Sequence, residues 1–175
     1  QALFTTTPSW GCWCMYWRGD RSAYRQQKAD GHKEAMEKVI RSGTVPGLLA
    51  YRAGKPVGWV SVGPRTDFRA LENSRVLKRL DDQPVWSIVC FLAAKSERGK
   101  GVLASLIEGA VQYAVEQNAA IIEAYPHIPQ ENANPTLNDY MGTLPTFLKL
   151  GFVEIARPSK TRAVVRYSVT KSKEN

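Results

Sequence analysis

The run Ser96-Glu97-Arg98-Gly99-Lys100-Gly101-Val102-Leu103 has the residue types and spacing to hold a phosphate. Two glycines remove the Cβ atoms that would keep an anion away from the backbone. Arg98 and Lys100 add positive charge. A helix beginning just beyond them would aim its unpaired N–H groups and the positive end of its dipole at the same point. A strand, a basic glycine loop and a helix N-terminus together form an anion site. The run is not a Gly-x-x-x-x-Gly-Lys-Ser/Thr loop. Nor is it Gly-x-Gly-x-x-Gly, because Ala104 stands where the last glycine belongs.

Other reactive side chains are scattered. Cys12 and Cys14 form Cys-x-Cys, but no second ligand pair has metal spacing, which favours buried thiols over zinc and predicts no metal. Cys90 lies in an apolar run and reads as core. His32 is in a polar stretch and His127 in a proline loop, so both are expected at the surface. Trp13 and Trp17 are four apart and would share a helical face, with packing the expected role.

The elements that must position the glycine run follow from periodicity. Ala35, Met36, Val39 and Ile40 recur at helical spacing within residues 33–41, and Gly43 can end that helix. Residues 48–51 and 57–62 read as a hairpin joined through Gly54 and Pro56. Residues 65–84 are polar, with a short helix packed by Leu71, Val76, Leu77 and Leu80. Residues 85–94 are almost continuously apolar, as in a strand buried on both faces. Leu103, Leu106, Ile107, Ala110 and Ala114 mark one face of a helix running to about Asn118, and residues 119–124 form the next buried strand. After a proline loop come a short helix over 144–150, stopped by Gly151, and strands over 152–156 and 163–169. The order describes a mixed α/β chain, one sheet covered by helices.

At these residues the sequence resembles the GNAT superfamily of N-acetyltransferases. Arg98-Gly99-Lys100-Gly101-Val102 matches its Arg-x-x-Gly-x-Gly/Ala acyl-CoA signature, with Leu103 standing where Gly or Ala is usual. Phe147-Leu148-Lys149-Leu150-Gly151-Phe152-Val153 looks like its second signature, a short helix ending in Leu-Gly-Phe. The resemblance covers about seven-tenths of the chain, from Gly47 to Val169. The Cys-Trp-Cys-Met-Tyr-Trp-Arg run and Tyr140-Met141-Gly142-Thr143 resemble a bacterial branch of the superfamily, which leaves the acceptor open.

The resemblance implies an α+β GNAT-like single domain whose central sheet is mixed and mostly antiparallel and is flanked by helices. Residues 1–45 would be an N-terminal helical part, 46–170 the cofactor-binding core and 171–175 a tail. Acetyl-CoA would be the co-substrate. Backbone groups of Phe91, Leu92 and Ala93 would pair with the pantetheine arm as an added strand would. Those of Arg98, Gly99, Lys100, Gly101, Val102, Leu103 and Ala104 would hold the pyrophosphate. The tyrosine that many members use as general acid is replaced by Phe147, and Tyr140, on a loop within reach, is the nearest substitute. Glu123, ending a buried strand beside the site, is the candidate base, with a salt bridge as its alternative role. Ser87 is a further candidate for a proton relay through water.

The whole chain of 175 residues, 43% apolar and 23% charged, is of ordinary globular composition. Its longest apolar stretch is about half of the roughly 20 residues a membrane helix needs. No charged-then-apolar secretory leader is read at the start, and three cysteines make no disulfide framework, so a reducing, cytoplasmic setting without membrane contact is expected. Lys+Arg 24 against Asp+Glu 16 gives a net charge of +8. Residues 157–175 hold six basic residues against one acidic, and a solvated terminal strand with a frayed tail is the expected reading. Three functions compete. The first is acetyl transfer to a small-molecule or peptide amine, by a monomer or homodimer. The second is an acyl-CoA sensor without turnover. The third, nucleic-acid binding, rests on charge alone without a recognisable aromatic–basic stripe, so no nucleic-acid partner is expected.

Overall fold

The apolar runs 85–94 and 119–124 form the middle of the sheet, because only an interior strand can bury side chains on both faces. A computed structural model describes residues 3–4, 13–27, 29–130 and 140–169 of the chain. Helices α1 (Arg21–Gln26) and α2 (Ala29–Arg41) precede strands β1 (Leu48–Arg52) and β2 (Lys55–Pro64). Then follow the short helix α3 (Arg69–Glu72), β3 (Trp86–Ala93), α4 (Val102–Glu116) and β4 (Ile121–Ala124). Helix α5 (Leu144–Lys149) and strands β5 (Val153–Ser159) and β6 (Arg162–Ser168) complete the described order. The strands form one six-stranded sheet in the order β1-β2-β3-β4-β6-β5. Only β3 and β4 are parallel neighbours, joined by the crossover through α4. This is the single helix-covered α/β sheet that the element order predicts, with the mostly antiparallel pairing that the family resemblance implies.

Two cores flank it. On one face Leu106, Ile107, Ala110 and Ala114 of α4 pack on Val60, Val62, Ile88 and Ile122. On the other face Cys14, Trp17, Phe68, Leu71, Val89, Cys90, Tyr125 and Met141 form a second cluster. Gly58 permits the first packing. A Cβ there would lie 2.6 Å from Val102 Cγ1 and 3.0 Å from Leu106 Cδ1, so the N-terminal turn of α4 sits directly on β2. At its other end Asn118 takes a left-handed φ of 63°, and Ala119 N–H closes the helix on Ala114 O.

The structure corrects several sequence readings. Residues 13–18 are a series of turns rather than a helix, with Trp13 and Cys14 at φ 22° and 51°. Helix α2 begins four residues before the apolar periodicity does, and α1 carries no periodic signal at all. The helix in the polar stretch covers only Arg69–Glu72. His32 is buried, with its ring stacked 4.1 Å from that of Tyr24 and its Nε2 3.0 Å from Tyr24 O. His127 is buried too, with its backbone bonded to Gly142 and Leu144. The basic terminal stretch is solvated only in part: Arg157 and Lys160 are exposed, whereas β6 lies between β4 and β5 and Arg166 is buried. Residues 170–175 and Cys12 lie outside the described residues. Among the described residues, no helix is long and apolar enough to cross a membrane.

Candidate cofactor and acceptor site

The parallel pair β3 and β4 opens into a fork. Its ladder runs through Trp86↔Ile122, Ser87↔Glu123 and Ile88↔Ala124, and no further pairs are made among the described residues. Strand β3 continues on its other side with β2 as far as Ala93↔Gly58. The opening coincides with a bulge. Ser61 pairs with Cys90 and Val62 with Ile88, so Val89 is an extra residue on β3. Val89 and Cys90 consequently face the same core, whereas Ile88 and Phe91 face the other. Such a bulge bends and twists its strand, which turns residues 89–93 away from β4. The chain leaving β4 is held elsewhere: His127 N–H donates to Gly142 O, and Ala163 N–H donates to Pro126 O. Phe91, Leu92 and Ala93 therefore lie on the β3 arm of the fork.

That arm runs straight into the glycine loop. A 3₁₀ turn over Lys95–Glu97 leads to Arg98, then Gly99 and Gly101 take positive φ of 75° and 80°, and α4 begins at Val102. The first-turn N–H groups of Val102, Leu103 and Ala104 precede any i−4 carbonyl of the helix, and glycine at the N-cap gives no side-chain cap. A Cβ on either loop glycine would meet nothing within 4 Å, so the approach to the backbone is open. Arg98 and Lys100 are exposed. The side chain of Leu103 is half-buried against the core under α4. Glu97 braces the turn, 3.0 Å from Arg52 and 3.4 Å from Lys100, and Arg52 also donates to Lys100 O.

Glu123 stands at the closed end of the fork, only 1% exposed. Its Oε1 accepts from Arg65 at 2.9 Å and from the Tyr125 hydroxyl at 2.7 Å, and its Oε2 accepts from Arg166 Nε at 2.8 Å. Arg65, 2% exposed, also binds Glu72 and Leu77 O, while Arg166 makes two bonds to Asp81. Ser87 Oγ lies 2.9 Å from the Tyr125 hydroxyl. Burial, and then the Glu123 charge, push the Tyr125 phenol well above its ordinary range. Hydrogen bonding to Arg166 lowers Asp81 to about 2. These contacts match the salt-bridge alternative for Glu123 rather than a base with an oxygen free for substrate. Ser87 likewise bonds to a phenol inside the cluster.

Tyr140 is half-buried and packs against the second core cluster. It ends the undescribed stretch 131–139 and sits two residues before Gly142, whose missing Cβ would lie 2.8 Å from Phe147 and 3.4 Å from Phe91. The Tyr140 ring meets Tyr16 edge-on at 6.3 Å. Phe147 is fully buried, between Phe91 at 6.1 Å and Phe152 at 5.0 Å.

The profile of the Acetyltransferase (GNAT) family matches residues 10–142, three-quarters of the chain. The chain belongs to the GNAT acetyltransferases. The fold agrees: a ribosomal-protein-alanine N-acetyltransferase from Brucella melitensis superposes with a TM-score of 0.52 at 20% identity, over 80% of this chain and 78% of that one. An N-acetyltransferase from Staphylococcus aureus Mu50 gives 0.53 at 15% identity, over 83% and 79%. No curated protein sequence matches the chain.

GNAT acetyltransferases use acetyl-CoA. The open glycine backbone, the uncapped helix turn and two exposed cations fit a pyrophosphate in shape and charge. Sequence reasoning missed Arg52, which reaches the loop from 48 residues away, and Arg65, which organises the buried cluster. Neither has a local signal, since both act across the sheet.

Proposed function

We propose that the chain transfers an acetyl group from acetyl-CoA to the amine of a small molecule or peptide, by direct attack in a ternary complex. The fork carries this reading. Its β3 arm ends in an open anion-binding loop and leaves one strand edge beyond Ile88 without a partner in β4. Backbone groups of Phe91, Leu92 and Ala93 pair with the pantetheine arm, and those of residues 98–104 hold the pyrophosphate. Acetyl-CoA, when bound there, supplies a thioester that an amine opens with loss of the thiol. Tyr140 donates its phenolic proton to the departing sulfur as the carbon–sulfur bond breaks. Glu123, through Arg65 and Arg166, is a positioning residue that fixes the closed end of the fork.

A second reading, an acyl-CoA sensor without turnover, is favoured by Phe147 and by the commitment of Glu123 to three donors. Following free thiol while acetyl-CoA is mixed with an amine panel separates the two. Thiol release that depends on an amine supports transfer, whereas binding without release with any amine establishes the sensor. Gly101→Glu, which sets a carboxylate and a side chain at φ 80°, is expected to weaken acetyl-CoA binding at least a hundredfold by calorimetry while keeping the circular dichroism spectrum. Normal binding by this variant refutes the loop placement.

A further inference from the structure

The acetyl-transfer reading makes no use of a sulfur pair on the opposite face of the sheet. Cys14 Sγ donates to Cys90 Sγ across 3.7 Å, although 76 residues separate them. Both are buried thiols, 2% and 4% exposed. Cys90 belongs to the bulge of β3, where the extra residue Val89 turns two consecutive side chains to the same face. Cys14 lies in the irregular N-terminal segment at a left-handed φ of 51°. That segment makes no strand or helix of its own among residues 13–18. Tertiary contacts hold it: Trp17 O accepts from Ala70, and Arg18 binds Asp67 and Pro46 O. The Arg18 guanidinium is also within electrostatic reach of Cys14.

We propose that Cys14 and Cys90 are an oxidisable dithiol that staples the N-terminal segment to β3. Sulfurs 3.7 Å apart must close to about 2.05 Å in a disulfide, a change that side-chain rotation can share between both residues. The oxidant class is a small peroxide, reaching the sulfurs when the segment opens locally. One thiolate attacks a peroxide oxygen, the O–O bond breaks, and a sulfenic acid forms with loss of water after protonation. The second thiolate then attacks that sulfur, the S–O bond breaks and a second water leaves. Two thiols and one hydrogen peroxide thus give one disulfide and two waters. The consequence is local: a segment held by packing and polar contacts becomes one that cannot leave the sheet. The proposal does not depend on acetyl transfer, and its test does not measure it.

The experiment treats the native full chain and its Cys12→Ser variant with hydrogen peroxide, alkylates in denaturant and maps tryptic peptides by mass. Cys12 shares peptide 1–18 with Cys14, so the variant removes that ambiguity. The expected product links peptide 1–18 to peptide 80–95, two hydrogens lighter than their sum, in both proteins, and a phosphine reductant reverses it. Amide exchange across residues 13–18 is expected to slow about tenfold in the oxidised form. Cys14→Ser and Cys90→Ser should each abolish the link, and should either fail to fold, the wild-type map decides alone. Recovery of the two peptides separately, alkylated or carrying sulfinic acid, overturns the proposal. A link that disappears in Cys12→Ser also overturns it. A link without slower exchange overturns the staple.

Discussion

The glycine loop and the Glu123 cluster both concentrate charge beside β3, yet they are built in opposite ways. In the loop the cations outnumber the anion: Arg52, Arg98 and Lys100 stand against Glu97 alone, the backbone donors of α4's first turn await an acceptor, and the three cations are solvated. In the cluster, donors and acceptors are matched. Arg65 and Arg166 face Glu123, Glu72 and Asp81, with Tyr125 and Ser87 closing the hydrogen bonds. A region with unmet donors is ready for a ligand, whereas one whose bonds are complete holds the fold. Charge alone does not separate the two, but the bookkeeping of partners does.

Neutralising Glu123 is the strongest way to break this comparison. Glu123→Gln keeps the shape but leaves two buried guanidiniums short of an anion, and loss of one member of a buried pair costs about 3 kcal/mol. Urea unfolding should show that loss. Full stability together with a large fall in turnover would instead make Glu123 part of the chemistry.

Tyr140→Phe probes the other side of the fork and should leave stability and acetyl-CoA affinity nearly unchanged. As general acid, Tyr140 contributes about a hundredfold to kcat, so its removal should lower kcat by that factor. An unchanged kcat assigns Tyr140 to packing against Tyr16.

What the sequence made legible follows the same division. The loop could be read because its determinants are contiguous: strand, two glycines, two cations and a helix start within one short run. The cluster could not, because Arg65 lies 58 residues from Glu123, and Arg166 lies 43 from Glu123 and 85 from Asp81. Strand existence was legible from apolar runs, but the bulge at Val89 was not, since it is a property of register between two strands. The terminal stretch reads as solvated from its position and its six basic residues against one acidic, and Arg157 and Lys160 are indeed exposed. The buried position of β6 emerges only once its strand order is known. Helical spacing of Trp13 and Trp17 misled for a related reason. Trp13 stacks 4.8 Å from Phe4, and tertiary packing of that kind overrides a short local pattern.

Within the loop, the two cations should differ. Lys100 is shared with Glu97, while Arg98 makes no ion pair among the described residues. Arg98→Ala should weaken acetyl-CoA binding by about tenfold at low salt, and Lys100→Ala by less, with both effects shrinking as salt is raised. Equal losses that salt does not touch would point to backbone distortion rather than charge.

The smallest effect belongs to the rim of the buried cluster. Asp81 meets Arg166 through two bonds of 2.6 and 3.1 Å, and that hydrogen bonding lowers its carboxyl to about 2. An unfolded aspartate titrates near about 3.9. The folded value is the depressed one, so the stabilising contribution is complete above about pH 4 and disappears as pH falls through about 2. Asp81→Asn should therefore lower the urea midpoint slightly at neutral pH, with the gap from wild type closing between about pH 4 and about pH 2. Asp81 is part-exposed, so added salt should narrow the same gap, unlike the loss at Glu123, whose charge is sealed from solvent. A gap that persists in acid would mean that Asp81 acts through packing, and the matched cluster would then end at Arg166.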